Sequence, residues 1–364
     1  MHIRQSTVAL ILTALATAGG FLGLWTSSQS SPLAPKAAAT DTRIPLAILG
    51  DSDSHSYHDE LSFPPGGPDR GGPYRAQTWQ WGEILSQLRG EQIDLGPWGS
   101  WGTRRIVARA QEAIGLDGRY PRKMDFRHNF AVSGAVCDDL IQGQMVHQLL
   151  ALMDQAPERW SKGVVVIRIG VNDVGTRTAL TTWARNGQDP ALMTKVDNCV
   201  NRYKQAVSMI QAKHPQTRIV LVGLFDNSHW APLTGQWQDA ESMRQIAMGL
   251  KAFNGPLRQL AASHPKLAFF DDQAWFQSNW GGRTADGKPA YKVVTVAGRW
   301  PTPNTQGDSP DHATVGDGHA GTIWNLKWSQ ALVQQLNQAF QLGIADISEQ
   351  DMAQFLTSKG IQSR

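Results

Sequence analysis

Cysteine is scarce in this chain. Cys137 and Cys199 are the only two in 364 residues, too few for a zinc cluster. Whether they pair in an oxidising compartment or stay apart as buried thiols depends on a separation the sequence leaves open. Blocks of like charge are missing too. The 34 basic and 31 acidic side chains are interspersed and leave a formal charge of +3. Nucleic-acid binding needs a clustered basic face, so nucleic acid is excluded as an expected partner. No internal repeat is visible. Long apolar runs are absent after the first, Val8 to Trp25.

That run, preceded by His2 and Arg4, carries two readings. A cleaved signal peptide would use Val8–Leu15 as its apolar region and end at a small-residue site such as Ala16-Thr17-Ala18. An uncleaved anchor would use Ser6–Trp25, about 20 residues, enough to span a bilayer once. No Cys follows the run, which excludes a lipoprotein anchor. Residues 1–26 are therefore expected to be a signal peptide or anchor, and 27–43, rich in Ser, Ala and Pro, a flexible linker. Both readings export the remainder to the periplasm or beyond.

The remaining residues, 44–364, suit one large α/β domain. Five apolar runs are expected as strands: Ile44–Leu49, Met124–Val132, Gly163–Ile169, Thr217–Leu224 and Leu267–Phe270. Helical stretches alternate with them, which implies a parallel sheet with crossover helices. Loop insertions are expected near 60–123 and 281–316, where Gly, Pro and turn residues concentrate.

The first strand runs into Gly50-Asp51-Ser52, and ligands in open α/β sheets bind beyond the carboxyl ends of strands. A Ser on a tight turn entering a helix suits a nucleophile, though it also suits a simple helix cap. Three further blocks follow: Ser133-Gly134 after the second strand, Gly170-Val171-Asn172-Asp173 after the third, and Asp317-Gly318-His319 near the C-terminus. Together, in this order and at strand ends, the four blocks resemble those of the SGNH (GDSL-like) hydrolases.

The resemblance implies a flavodoxin-like three-layer α/β/α sandwich with a five-stranded parallel sheet in the order 2-1-3-4-5, and a serine esterase that needs no cofactor or metal. It implies Ser52 as nucleophile, His319 as its base, and an oxyanion hole of the Ser52 N–H, the Gly134 N–H and the Asn172 side-chain amide. The family's acid stands three residues before the His, where this chain has Gly316. Asp317, two before, is the expected replacement, with Asp308, Asp311 or a backbone carbonyl as alternatives and His312 as a rival base. Asp53 stands in place of the family's Leu. His55, His58 and Asp59 after it suggest pocket-lining side chains, hydrogen bonds to the Ser52 loop, or a metal site.

Fourteen tryptophans are many for this length, and Trp79, Trp98, Trp101, Trp230, Trp280 and Trp300 fall in or beside inferred loops. Flat rings with an N–H stack on sugars, while any single Trp can equally fill a gap under a loop. His55, His58, Trp79, His229 and Trp230 are the candidate substrate contacts. The expected activity is removal or transfer of a small acyl group, such as O-acetyl, on an exported carbohydrate. The rival readings are a lipid esterase or lysophospholipase, and a catalytically inactive carbohydrate-binding module. Oligomeric state is left open.

Overall fold

Aliphatic residues in alternating directions build the centre of the molecule. In a computed structural model, residues 41–114 and 118–363 are described; the N-terminal apolar run and the linker up to residue 40 lie outside them. Seven strands come first: β1 (Ile44–Gly50), β2 (Ile93–Asp94), β3 (Trp98–Trp101), β4 (Lys123–Phe126), β5 (Val164–Arg168), β6 (Arg218–Val222) and β7 (Leu267–Phe270). β2, β1, β5, β6 and β7 pair in that order as an all-parallel sheet, which is the expected 2-1-3-4-5 arrangement.

Successive side chains of a strand point to opposite faces, and both faces here are apolar, as a covered parallel sheet requires. Leu46, Ile48, Val164, Val166, Val220 and Val222 enter one core, under helices Trp81–Arg89, Asp272–Trp280, Thr322–Phe340 and Glu349–Ser358. Ala47, Leu49, Val165, Ile167, Ile219 and Leu221 enter the other, under Met145–Met153, Arg177–Arg185, Pro190–Lys213 and Ala240–Ala262. The two longest helices begin where acidic caps meet free N–H groups. Asp189 accepts from the Ala191 and Leu192 N–H groups, and Asp239 from that of Ser242. No helix among the described residues is long and apolar enough to cross a membrane.

Two expectations need correction. The run Met124–Val132 is not one strand. Its first part, β4, pairs antiparallel with β3 as a hairpin. The polar stretch Arg127-His128-Asn129 then turns the chain, with the Asn129 N–H bonded to the Phe126 carbonyl. Only beyond this turn does it join the sheet, where the Phe130 and Val132 N–H groups bond to the Ile48 and Gly50 carbonyls. The edge beside β1 is thus shared by β2 and residues 128–132. Likewise, the insertion expected near 60–123 contains helix Trp81–Arg89 and β2, which belong to the central layers. The 281–316 insertion forms two small hairpins, Gly281–Arg283 with Pro289–Tyr291 and Val294–Val296 with Trp300–Thr302.

Cys137 and Cys199 are joined by a disulfide that ties the loop after Gly134 to helix Pro190–Lys213. Closing a 62-residue separation removes chain entropy worth about 4 kcal/mol from the unfolded state. Reduction, or the double change Cys137→Ser/Cys199→Ser, should therefore lower the urea midpoint with a loss of about 4 kcal/mol. An unchanged midpoint after verified reduction would show that the bridge constrains nothing.

Candidate active site

The Ser52 turn arises from a close backbone approach. Gly50 pairs with Arg168 across β1 and β5, and a Cβ on Gly50 would lie 2.6 Å from the Arg168 carbonyl oxygen. The chain then closes one helical turn, with the Ser54 and His55 N–H groups both bonded to the Asp51 carbonyl. Ser52 sits on this turn. Its own N–H is engaged by no acceptor among the described residues, and neither is that of Gly134. Gly134 holds φ +81°, a left-handed conformation that disfavours a side chain, and the space where its Cβ would stand is open. Asn172 lies in the short helix Val171–Val174 after β5, where its amide donates one hydrogen bond to the Ala135 carbonyl at 2.8 Å. Its neighbour Asp173 accepts from the Cys137 N–H at 2.9 Å. The Gly134 loop is thereby bonded to the end of β5.

His319 stands across the same cleft. Its Nδ1 is 3.1 Å from Asp317 Oδ1, and its backbone N–H donates to the same oxygen at 3.2 Å. Asp308 instead accepts from the Gly316 N–H, and Asp311 lines a separate cavity. His312 bonds to the Thr305 hydroxyl. Of these carboxylates, Asp317 is the one hydrogen-bonded to His319. The Nε2 of His319 has no hydrogen-bond partner among the described residues.

Arg70, which sequence reasoning passed over, organises this pair. It is 3% exposed, and its backbone N–H and Nη1 both donate to Asp317 Oδ2, at 2.9 and 2.6 Å. Nη1 also lies 2.5 Å from His319 Nδ1, a close contact of two donors and not a hydrogen bond when Nδ1–H is given to Asp317, and Nη2 donates to the Ser133 hydroxyl at 3.2 Å. The Phe63 ring, 4.2 Å away, and the Tyr57 ring, 5.1 Å away, enclose the guanidinium. Burial alone would raise the Asp317 pKa, but the bonds to His319 and the Arg70 charge hold it well below the usual carboxylate range. Arg70 lies in Phe63–Tyr74, the Gly- and Pro-dense insertion, so its position was the one available signal.

Beneath Ser52 lies a buried group of charges. Arg168 donates to the Asp53 carbonyl at 2.9 Å and to Asp272 at 3.0 Å, and stacks over Trp328. Burial, reinforced by the Asp53 charge, pushes Asp51 up to about 8. Burial thus disfavours the charged form of Asp51 on one side of Ser52, while Asp53 on the other side lines the cleft.

Ser52, Asn172 and His319 line one cleft of about 230 Å³, walled by Val171, Phe225, Trp230, Leu233 and Trp324 and by the polar Thr176, Arg177 and Asn227. Among the five candidate substrate contacts, Trp230 alone lines it, with its indole N–H bonded to the Gly318 carbonyl at 2.7 Å. The others are engaged elsewhere. His55 is buried between the Ser133 hydroxyl and Asp59, and Asp59 also accepts from the Met124 N–H. His58 bonds to Glu83 and packs on Trp79, while His229 bonds to Tyr291. The polar segment after Ser52 therefore grips the β4 hairpin and the Gly134 loop. Trp280 and Trp300, expected in loops, are buried in an aromatic cluster with Trp275 and Trp324. The described residues hold one cluster with metal-like spacing, Cys137, Asp173 and Cys199, but its two sulfurs are bonded to each other.

Removing the Arg70 charge leaves Asp317 nearly buried without its cation, which should cost about 3 kcal/mol in Arg70→Met at pH 7. Because the folded pKa of Asp317 is depressed, its contribution is complete above the unfolded value of 3.8 and is lost as the pH falls below it. The gap between wild type and Arg70→Met should therefore narrow toward pH 3, as read by urea unfolding at both pH values. A gap independent of pH would assign Arg70 a steric role only.

A sequence profile described as the GDSL-like lipase/acylhydrolase family matches residues 48–291, more than half of the chain. No curated protein matches it. Among solved structures, an extracellular lipase from Streptomyces rimosus is similar at 18% identity, covering 81% of this chain and 99% of its own, with a TM-score of 0.36. A family 3 carbohydrate esterase from Clostridium thermocellum is similar at 13% identity over 83% and 100% of the two chains, with a TM-score of 0.37. A phospholipase A1 from Streptomyces albidoflavus is similar at 19% identity over 65% and 83%, with a TM-score of 0.35. With this parallel sheet and a profile match over most of it, the chain belongs to the GDSL-like lipase/acylhydrolase family and is an ester hydrolase.

Proposed function

We propose that this enzyme removes or transfers a small acyl group, most simply acetyl, on an exported carbohydrate. The observation that carries this reading is the size of the cleft. At about 230 Å³ it falls below the range of roughly 300–1,000 Å³ typical of drug-sized ligands, a volume that suits one short acyl group better than a long chain. Trp230 beside Thr176, Arg177 and Asn227 offers a stacking face and hydrogen-bonding groups suited to a sugar ring.

In this mechanism the Ser52 hydroxyl attacks the ester carbonyl carbon as His319 Nε2 takes its proton. The oxyanion is met by the free N–H groups of Ser52 and Gly134 and by the second N–H of the Asn172 amide. Collapse breaks the acyl–oxygen bond, and His319 returns the proton to the departing sugar hydroxyl. Water, or a hydroxyl of another acceptor, then attacks the acyl-Ser52 ester and passes its own proton to His319, which gives it to the Ser52 oxygen as the acyl–Ser52 bond breaks and the acid or new ester leaves. Asp317 orients the imidazole through Nδ1.

A panel of p-nitrophenyl esters from C2 to C12 tests both chain length and machinery. Rates should fall steeply beyond C4. Ser52→Ala should abolish turnover and organophosphorus labelling without unfolding. Asp317→Asn should lower kcat by about 10³–10⁴-fold, while Asp308→Asn and Asp311→Asn stay near wild type. Preference for C8 or longer would favour the lipid esterase, and full activity of Ser52→Ala would remove the nucleophile assignment.

We infer a location outside the cytoplasmic membrane; the apolar run Val8–Trp25, with His2 and Arg4 before it as a weak positive bias, supports this reading. Alkaline phosphatase fused after Arg364, active only when its disulfides form, should be active. An inactive phosphatase beside a fluorescent cytoplasmic fusion would overturn the exported-carbohydrate reading.

A further inference from the structure

Helices on globular domains turn their apolar stripe inward. Helix Arg105–Ala113 does the reverse. Ala108 is fully buried and Gln111 half-buried on its inner side. Ile106, Ala110 and Ala113, spaced i, i+4, i+7, face solvent with Val107, and Ile114 follows. Ile106 is 84% exposed and Ile114 74%. Of the seven large hydrophobic side chains exposed among the described residues, four lie in this insertion: Trp98, Ile106, Val107 and Ile114. A patch of this kind on a soluble face marks a contact surface.

We propose that this helix docks on a membrane surface of anionic phospholipid. The cations around the apolar row point to that occupant. Arg105 and Arg109 form a second row, i and i+4, beside the Ile106 row, and Arg104 precedes them; all three are exposed. Arg104 and Arg109 enter no ion pair among the described residues, and Arg105 lies over the Tyr120 ring at 5.6 Å. Apolar and arginine rows on one exposed helix match the acyl boundary and the phosphate level of a lipid surface. A protein partner would be expected to meet aromatic anchors in a recessed pocket, and this face is a convex helix of aliphatic side chains. Kept as an anchor, the apolar run Val8–Trp25, of membrane-spanning length, would tether the same chain to a lipid bilayer. The inference stands apart from the choice of acyl substrate.

The only two cysteines are bonded to each other, so Ile106→Cys adds a unique thiol to the full chain. Labelled there with an environment-sensitive fluorophore, the protein should show blue-shifted emission, quenched by brominated acyl chains, on phosphatidylglycerol/phosphatidylcholine vesicles. The lipid-buried fraction should shift toward water about fivefold for each of Arg104→Gln, Arg105→Gln and Arg109→Gln, and on vesicles of phosphatidylcholine alone. A label at the exposed Thr194→Cys should respond to neither. Water-like emission on every vesicle would overturn the proposal. So would a blue shift without lipid, which would assign the face to a second copy or to the chain's own N-terminal segment. Equal quenching on both vesicle types would leave the arginines without the role given them and would also overturn it.

Discussion

At the end of β1, the backbone of Gly50 lies so close to the Arg168 carbonyl that no side chain can stand between them. Everything at the site depends on this contact. It lets β1 run to its last residue in register with β5 and then turn at once, which exposes Ser52 beyond the carboxyl edge of the sheet. The same residue of β5 that crowds Gly50 sends its guanidinium beneath the turn, to the Asp53 carbonyl and to Asp272 after β7. One pairing register thus sets the position of Ser52 and of its support.

Two arginines brace the site from below and from the side, each ion-paired with a carboxylate. Arg168 and Arg70 are both nearly inaccessible. Arg70 joins an early loop to the Asp317–His319 turn some 250 residues later, and through Ser133 to the Gly134 loop. Lys123 forms a buried pair with Asp125, which in turn accepts from the Ser56 hydroxyl after the nucleophile. Such pairs add little net stability when compared with apolar replacements, but losing one partner is costly. They therefore act as registers that hold loops of distant sequence in one arrangement. The disulfide does similar work from the other side, fixing the Gly134 loop to helix Pro190–Lys213.

The tryptophans divide in a way that composition does not announce. Trp275, Trp280, Trp300, Trp324 and Trp328 fill one face of the sheet beneath the C-terminal insertion, with Phe276 stacked on Trp280. Trp324 reaches from that cluster to the cleft wall, and Trp230 packs edge-on against it. This wall of the cleft is therefore backed by packed core.

By itself the sequence determined the alternation of strands and helices, the parallel sheet and the residues at the ends of its strands. These are local patterns: β-branched runs of strand length, caps such as Asp189 and Asp239, and turn residues at Gly50 and Gly170. Ser52, Asn172 and His319 could be found because each directly follows or precedes such an element. The tertiary structure alone decided which carboxylate meets His319, since Asp308, Asp311 and Asp317 are near neighbours in the chain and differ only in where their loop folds. It also decided that Met124–Val132 breaks into two pieces, that His55 and Asp59 grip a hairpin instead of lining the cleft, and that Arg70 lies against Asp317. Apart from Asp317, which is two residues from His319, the partner in each case lies tens to hundreds of residues away. Periodicity and capping report a residue's neighbours within a few positions, whereas a buried charge finds its partner only when the whole chain has closed around it.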